Sequence, residues 1–341
     1  MSDLPSAGGS GPVASAEPDG AAPAGWLPPP QRNRICELLG VAIPILQAPM
    51  TYIAGATLAA AVSNAGGLGI IETTTEQGRA DLKRVRTLTD RPVGANVALI
   101  MSRDLAMVDL FVESGVKVVT TSAGDPGLFT GRLHDAGITV LHAVGTLRAA
   151  KKAADAGVDG LIVDGVEGGG FKNRNGSSTM VLLPLVAANV TLPLIAAGGI
   201  CDSASMAAAM VLGAHGVQMG TRMLAAAESP VHANFKDAIV MADDTATTLL
   251  SIAGAPTMRV LRSSRTEKAS LVGDLDGADL SSVLDLYFSG DMEASVANTG
   301  QAAGRIESVV PVAQIISETW AGCIAALEGG RSRLGTEPGP G

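Results

Sequence analysis

Eight short apolar runs, each bounded by glycine or proline and followed by a helix-like stretch, constrain this chain more than any other feature. They are IPILQAP (43–49), GLGII (67–71), PVGANVAL (92–99), VKVVTTS (116–122), ITVLHAV (138–144), GLIVDG (160–165), LPLIAAGG (192–199) and GVQMGT (216–221). Four of the intervening segments, LFVESG, RLHDAG, AKKAADAG and AAAMVLG, end in a glycine just before the next run, where a helix C-cap belongs. Strand, helix, glycine and strand again is the rhythm of parallel βα units. Continuous apolar strands need cover on both faces. Eight repeats therefore predict an α/β fold, a TIM (β/α)8 barrel, with an open doubly wound sheet as the alternative. Hydrophobic residues make up 47% of the chain and aromatics only 3%, so the core must be aliphatic.

The rhythm is lost near residue 250. SSVLDLYFSG and PVAQIISETWAGCIAALEGG read as amphipathic helices joined by a glycine-hinged connector, TGQAAGRIESV. The expected organisation is a disordered tail over 1–32, a barrel over 33–250, a smaller, mainly helical region over 251–330 roofing its mouth, and a flexible tail over 331–341. The first thirty residues are rich in Ala, Gly, Pro and Ser and lack the basic start and apolar centre of a signal peptide. Cys36, Cys201 and Cys323 have no paired spacing, which argues against a disulfide framework or a zinc site and for a reduced, cytoplasmic setting. A net charge of −9 opposes binding to nucleic acid, and no apolar run is long enough to span a bilayer. A small-molecule substrate is the expected partner. The oligomeric state is not set by the residues, and a homodimer is one option.

In such a barrel the chemistry sits at the C-terminal ends of the strands, with phosphate groups often held by the last two loops. After the seventh run, Gly198 and Gly199 let backbone amides approach a ligand; after the eighth, Gly220 and Thr221 expose amides and a hydroxyl. Two such turns side by side suit a dianion, although glycines also turn chains for no other reason. The ends of the first and third runs add the Ala48 and Met50 backbone and the Asn96 amide, which both donates and accepts. Asn96 and Gln218 suit the donor–acceptor edge of an isoalloxazine ring. Met50 suits its face, and the core is the other reading of it. The stretch IVDGVEGGGFKNRNGSSTM (162–180) sets three glycines in a row, as a backbone passing close to something requires.

AVSNAGGLGII, GVKVVTTSAGDPGLF, VEGGG, LPLIAAGGICD, GAHGVQMGTRML and ESPVHANFKDAI together resemble the nitronate monooxygenase family (2-nitropropane dioxygenase-like), whose superfamily includes the FMN-dependent enoyl-ACP reductase of type II. The resemblance spans about 33 to 325. It implies FMN held non-covalently with its phosphate on the last two turns and the glycine loop against the flavin ring. It carries flavin contacts onto Ala48, Pro49, Met50, Asn96, Asp164, Gly169, Gly199, Gln218, Met219, Gly220 and Thr221, with a cap of the turn as the other reading of Asp164. One departure stands out: the family's pattern has a histidine after the glycines, and this chain has Phe171. A phenyl ring moves no proton.

Candidates to replace that histidine are His142, at the end of the fifth run; Lys172, as a positive charge beside the loop; and Ser122, at the end of the fourth run. Glu167 reads as a base or as a solvated turn residue, and His134, His215 and His232 read as structural. Three functions are compatible: oxidation of alkyl nitronates with O2; reduction of enoyl thioesters or quinones with NAD(P)H as co-substrate; and a non-catalytic flavin-binding partner protein. No GxGxxG fingerprint follows any run.

Overall fold

The computed structural model describes residues 32–173, 175–251, 257–272 and 282–330. The expected tails therefore lie outside the described residues, apart from Arg32. Each of the eight apolar runs contains a strand: β1 Ile45–Gln47, β2 Gly69–Glu72, β3 Val93–Ala98, β4 Val118–Ser122, β5 Thr139–Val144, β6 Gly160–Asp164, then, after a two-residue β7 Gly170–Phe171, β8 Leu194–Ala197 and β9 Gly216–Met219. These eight long strands are parallel, in the order β1-β9-β8-β6-β5-β4-β3-β2. A bridge between Leu46 and Leu68 joins the two ends, so the sheet closes into a TIM barrel.

The glycines at 115, 137, 157 and 213 all have positive φ. In each case the next residue's N–H reaches back five positions: Val116 to Phe111 (3.1 Å), Ile138 to Leu133 (2.9 Å), Val158 to Ala153 (3.4 Å) and Ala214 to Ala209 (3.0 Å). That closure satisfies a carbonyl at each helix end and turns the chain into the next strand.

Alternation along the strands divides the core in two. Leu46, Leu68, Ile70, Val118, Leu141, Ile162 and Ile195 point inward and form one cluster with Ile35, Cys36 and Leu39 of the helix Arg34–Leu39, which plugs the barrel floor. Residues of opposite parity, among them Ile71, Val119, Val140, Val163 and Val217, join the larger cluster between sheet and helices. A sealed floor leaves the C-terminal mouth as the accessible end.

From residue 247 onward the structure adds a feature absent from the sequence reading. Strands β10 (Thr247–Leu250) and β11 (Met258–Leu261) form an antiparallel sheet whose third member is β7, in the glycine loop. The remainder is mainly helical: Ser264–Val272, Ser282–Leu284 running into a wider turn over Asp285–Ser289, and Val312–Glu328. The last helix packs on the barrel's flank against the helices Ser203–Val211 and Ala56–Asn64, not over the mouth. Among the described residues of this region, the connector at Thr299–Gln301 reaches the mouth, with Gly300 N on Thr221 Oγ1 and Gln301 N on the Glu167 carbonyl.

Candidate active site

One parity step above the apolar interior, the strand ends turn polar. Glu72, Asn96, Thr120, Ser122, Asp164 and Gln218 continue the inward positions of Ile70, Gly94, Val118, Ile162 and Gly216. Glu72 lies opposite Asn96 in the β2–β3 register, and Asn96 opposite Thr120 in β3–β4. Thr120 Oγ1 donates to Asn96 Oδ1 (2.9 Å), and the backbone carbonyl of Asn96 accepts from Thr73 N (3.1 Å) and Thr73 Oγ1 (2.6 Å). Asn96 is thereby fixed by its neighbours on both backbone and amide. Gln218 Oε1 is buried without a hydrogen-bond partner. Ser122 sits at the rim, half-buried.

The triple glycine has several neighbours. A Cβ on Gly169 would stand 3.0 Å from the Gly300 nitrogen and the Thr299 carbonyl carbon, so here the backbone passes the C-terminal connector. Gly300 N donates to Thr221 Oγ1 (2.9 Å) and Gln301 N to the Glu167 carbonyl (2.8 Å), tying the connector to the strand ends of β6 and β9. Beside Gly168, Lys172 Nζ forms an ion pair with Asp164 Oδ2; the Lys172 side chain is only 6% exposed. Arg259 on β11 donates from Nε to the Val166 carbonyl (2.6 Å), bracing the loop from outside. Glu167 accepts from Thr179 N at 2.9 and 3.0 Å and from Thr179 Oγ1 at 3.1 Å, so its carboxylate caps the helix Thr179–Ala187.

After β8, Gly198 and Gly199 take φ of +90° and +76°. Gly198 is crowded by Gly165, whereas a Cβ on Gly199 would meet nothing closer than Glu167 Cβ at 3.5 Å, and one on Gly220 nothing closer than Ala48 Cβ at 3.5 Å. Both turns leave room at the mouth. Tyr52 and Ala123, non-glycine residues at positive φ, lie in the loops after β1 and β4 around the same opening.

Other expected residues lie elsewhere. His142 has the parity of Val140 and Val144, which face the helices, while Leu141 and Ala143 pack with the inner cluster. Its Nδ1 lies 2.7 Å from Thr121 Oγ1, and burial pushes its pKa down to about 4, with Asp125 and Lys152 the nearest charges. The structure thus separates His142 from the mouth by one residue of register. The Met219 side chain is likewise in the outer core, and its carbonyl alone reaches Ala48 N (2.8 Å). Ala48, Pro49 and Met50 are half-buried at the end of β1. His134 pairs with Asp159 (2.9 Å), His215 Nδ1 accepts from Leu194 N (3.2 Å), and His232 caps the helix Ala233–Val240. Phe171 is 49% exposed on β7. Glu72, Thr120, Arg259 and Gly300 escaped the sequence reading. Counting by twos from Leu68 and Ile70 would have found Glu72.

With this geometry in hand, the chain can be set beside known proteins. The family model for nitronate monooxygenase matches residues 32–107 and 100–322. The chain belongs to the nitronate monooxygenase family. Within and around that family, it is 35% identical over 243 residues to the (3aS,4S,5R,7aS)-5-hydroxy-7a-methyl-1-oxo-octahydro-1H-indene-4-carboxyl-CoA dehydrogenase of Mycobacterium tuberculosis, covering 70% of this chain and 68% of that one. It is 34% identical to the nitronate monooxygenase of Pseudomonas aeruginosa, covering 61% and 73%. Among solved structures, FabK from Thermotoga maritima superposes with a TM-score of 0.84 at 35% identity, covering 89% of this chain and 99% of that one. The nitroalkane oxidase from Streptomyces ansochromogenes reaches 0.74 at 25%, covering 86% and 99%. Membership in this family makes the chain an oxidoreductase. Among the described residues no cluster of His, Cys, Asp or Glu is placed to hold a metal, and no helix is long and apolar enough to cross a membrane.

Proposed function

We propose that this oxidoreductase uses FMN, held at the barrel mouth, and oxidises alkyl nitronates with O2. The observation that carries the cofactor is the pair of inward, buried carboxyl and amide oxygens without partners, Glu72 Oε2 and Gln218 Oε1, beside two turns with open backbone. Buried polar atoms are rarely left unpaired, and a ligand with matching donors supplies what the chain does not. The residues fit the group: Asn96 and Gln218 for the ring edge, the amides at Gly199, Gly220 and Thr221 for the phosphate, Met50 for the ring face. FMN, when bound there, supplies the electron transfer that no side chain here can perform.

The chain's part is to bind, orient and exclude water. Phe171 in place of the family histidine and His142 turned toward the helices leave no imidazole at the mouth among the described residues. An already anionic nitronate needs no base, whereas a neutral nitroalkane does. The Lys172–Asp164 pair neutralises its own charge and holds the loop over the strand end.

A second reading is reduction of enoyl thioesters or quinones, with NAD(P)H as donor. The relative named as a carboxyl-CoA dehydrogenase, at 35% identity, supports it only in placing redox chemistry on a CoA thioester. One experiment separates the two: the visible spectrum of the purified protein before and after anaerobic NADPH, NADH or propionate 3-nitronate. Flavin that stays oxidised with the nucleotides and bleaches with the nitronate supports the first reading; rapid bleaching by a nucleotide moves the assignment to the second. Absence of any flavin spectrum, with none acquired on adding FMN, overturns both.

A further inference from the structure

Glu72 is a carboxylate where the barrel has every reason to exclude one. It ends β2 at an inward position, is 4% exposed, and accepts from Thr74 N (3.1 Å) and Thr74 Oγ1 (2.6 Å) through Oε1 alone. Its other oxygen, Oε2, is buried with no donor in hydrogen-bonding geometry, although the Asn96 amide lies near enough to oppose the rise in the carboxyl's pKa. Its neighbour Asn96 already takes the Thr120 hydroxyl proton on Oδ1, which leaves that oxygen one lone pair for a ligand. Burial raises the Glu72 pKa above its usual range, against the smaller opposing pull of Thr74, Asn96 and Arg79. An unpaired buried carboxyl oxygen is costly, and a fold retains one more readily when a ligand answers it.

We infer that Glu72, through Oε2, is the acceptor for the ring N–H on the pyrimidine edge of the isoalloxazine, and that Asn96, locked between Glu72 and Thr120, is a positioning residue for it. The inference rests on the FMN reading above. It differs from the reading of the residues alone, which gave the ring edge to Asn96 and Gln218, and from the family resemblance, which carried no flavin contact onto Glu72. In the register, Glu72, Asn96 and Thr120 form a continuous polar row across β2, β3 and β4, and Thr74 holds the carboxyl at Oε1 before any ligand arrives.

The test uses the full chain and FMN itself. Glu72→Leu and Glu72→Gln are each compared with the parent in two measurements: FMN affinity by fluorescence titration of flavin-stripped protein, and thermal melting of the stripped protein. A hydrogen bond to a charged group predicts that Glu72→Leu weakens FMN binding roughly 10- to 100-fold. Glu72→Gln retains an acceptor oxygen and loses less. The melting temperature of the stripped Leu variant should stay level or rise, since an unanswered buried carboxyl has been replaced by an apolar group. A purely structural role for Glu72 gives the opposite pattern, a lowered melting temperature with FMN affinity within threefold of the parent, and overturns the inference. If the Leu variant does not fold, Glu72→Gln decides: affinity equal to the parent's together with a fall in melting temperature overturns it. Failure of the parent itself to bind FMN overturns the cofactor reading as well, a distinct outcome.

Discussion

Replacing Glu167 by alanine should destabilise the protein without removing a catalytic group. In sequence, this residue stands just before three glycines, where a base would be useful. In the structure its carboxylate is spent on the first turn of Thr179–Ala187, taking Thr179 N at 2.9 and 3.0 Å and Thr179 Oγ1 at 3.1 Å. Loss of a capping acceptor costs about 0.5–2 kcal/mol, and loss of a negative charge at a helix N-terminus a further 0.3–1 kcal/mol or so. Part is recovered, because the single Thr179 hydroxyl proton has alternative acceptors in the carbonyls of Gly198 (2.8 Å) and Ala197 (3.1 Å). The expected loss is about 1–2 kcal/mol, which at roughly 2–4 °C per kcal/mol lowers Tm by about 2–8 °C. Glu167→Gln, which keeps an acceptor, should lose about half as much. The assay is thermal melting by circular dichroism beside turnover measured well below the transition. Unchanged melting together with a more than tenfold loss of turnover, in both variants, would refute the capping assignment and return Glu167 to the role of base.

Three further outcomes follow from the same geometry. His142 titrates near 6.5 when unfolded and near 4 when folded, so between those values the unfolded chain binds the extra proton and stability grows as pH rises. Urea melts from pH 4 to 7 should show this dependence, at most about 1.4 kcal/mol per pH unit from this residue, and His142→Asn should flatten it while sparing turnover. Lys172→Met strands the Asp164 carboxylate and should cost about 2 kcal/mol, below the 3–5 kcal/mol of a fully buried pair because Asp164 is 29% exposed; Asp164→Asn added to it should restore most of the loss, as measured by chemical denaturation. Phe171→His should leave nitronate turnover within a few-fold, since that substrate arrives without the proton in question. A gain of a hundredfold, read in the steady-state rate, would show that the loop still presents this position to the substrate.

The barrel was legible from local signals because each is enforced locally. A run of β-branched and aliphatic residues must be extended and covered, and a glycine at 115, 137, 157 or 213 accommodates the left-handed turn that releases a helix into the next strand. The glycine turn after β8, where Gly198 and Gly199 take positive φ, was legible for the same reason. Membership of the nitronate monooxygenase family was carried by six motifs in order, and those motifs are largely the same turns.

What the sequence left open depends on pairings between distant residues. His142 and Leu141 differ by one position, and a one-residue shift of register decides which of them faces the mouth; nothing in ITVLHAV tells the two faces apart. The sheet of β7, β10 and β11 brings a two-residue strand in the glycine loop against a segment almost ninety residues later, as in the pairing of Phe171 with Met258, and two residues carry no periodicity to read. Gly169 announced a close approach from sequence alone. That one thing it approaches is the backbone of Thr299 and Gly300 is a property of the closed chain. Glu72 was the plainest case: a charged residue at the end of an apolar run reads as the start of a loop, and only closure of the barrel, which turns every second strand residue inward, placed its carboxyl among Asn96 and Thr120 with one oxygen unanswered.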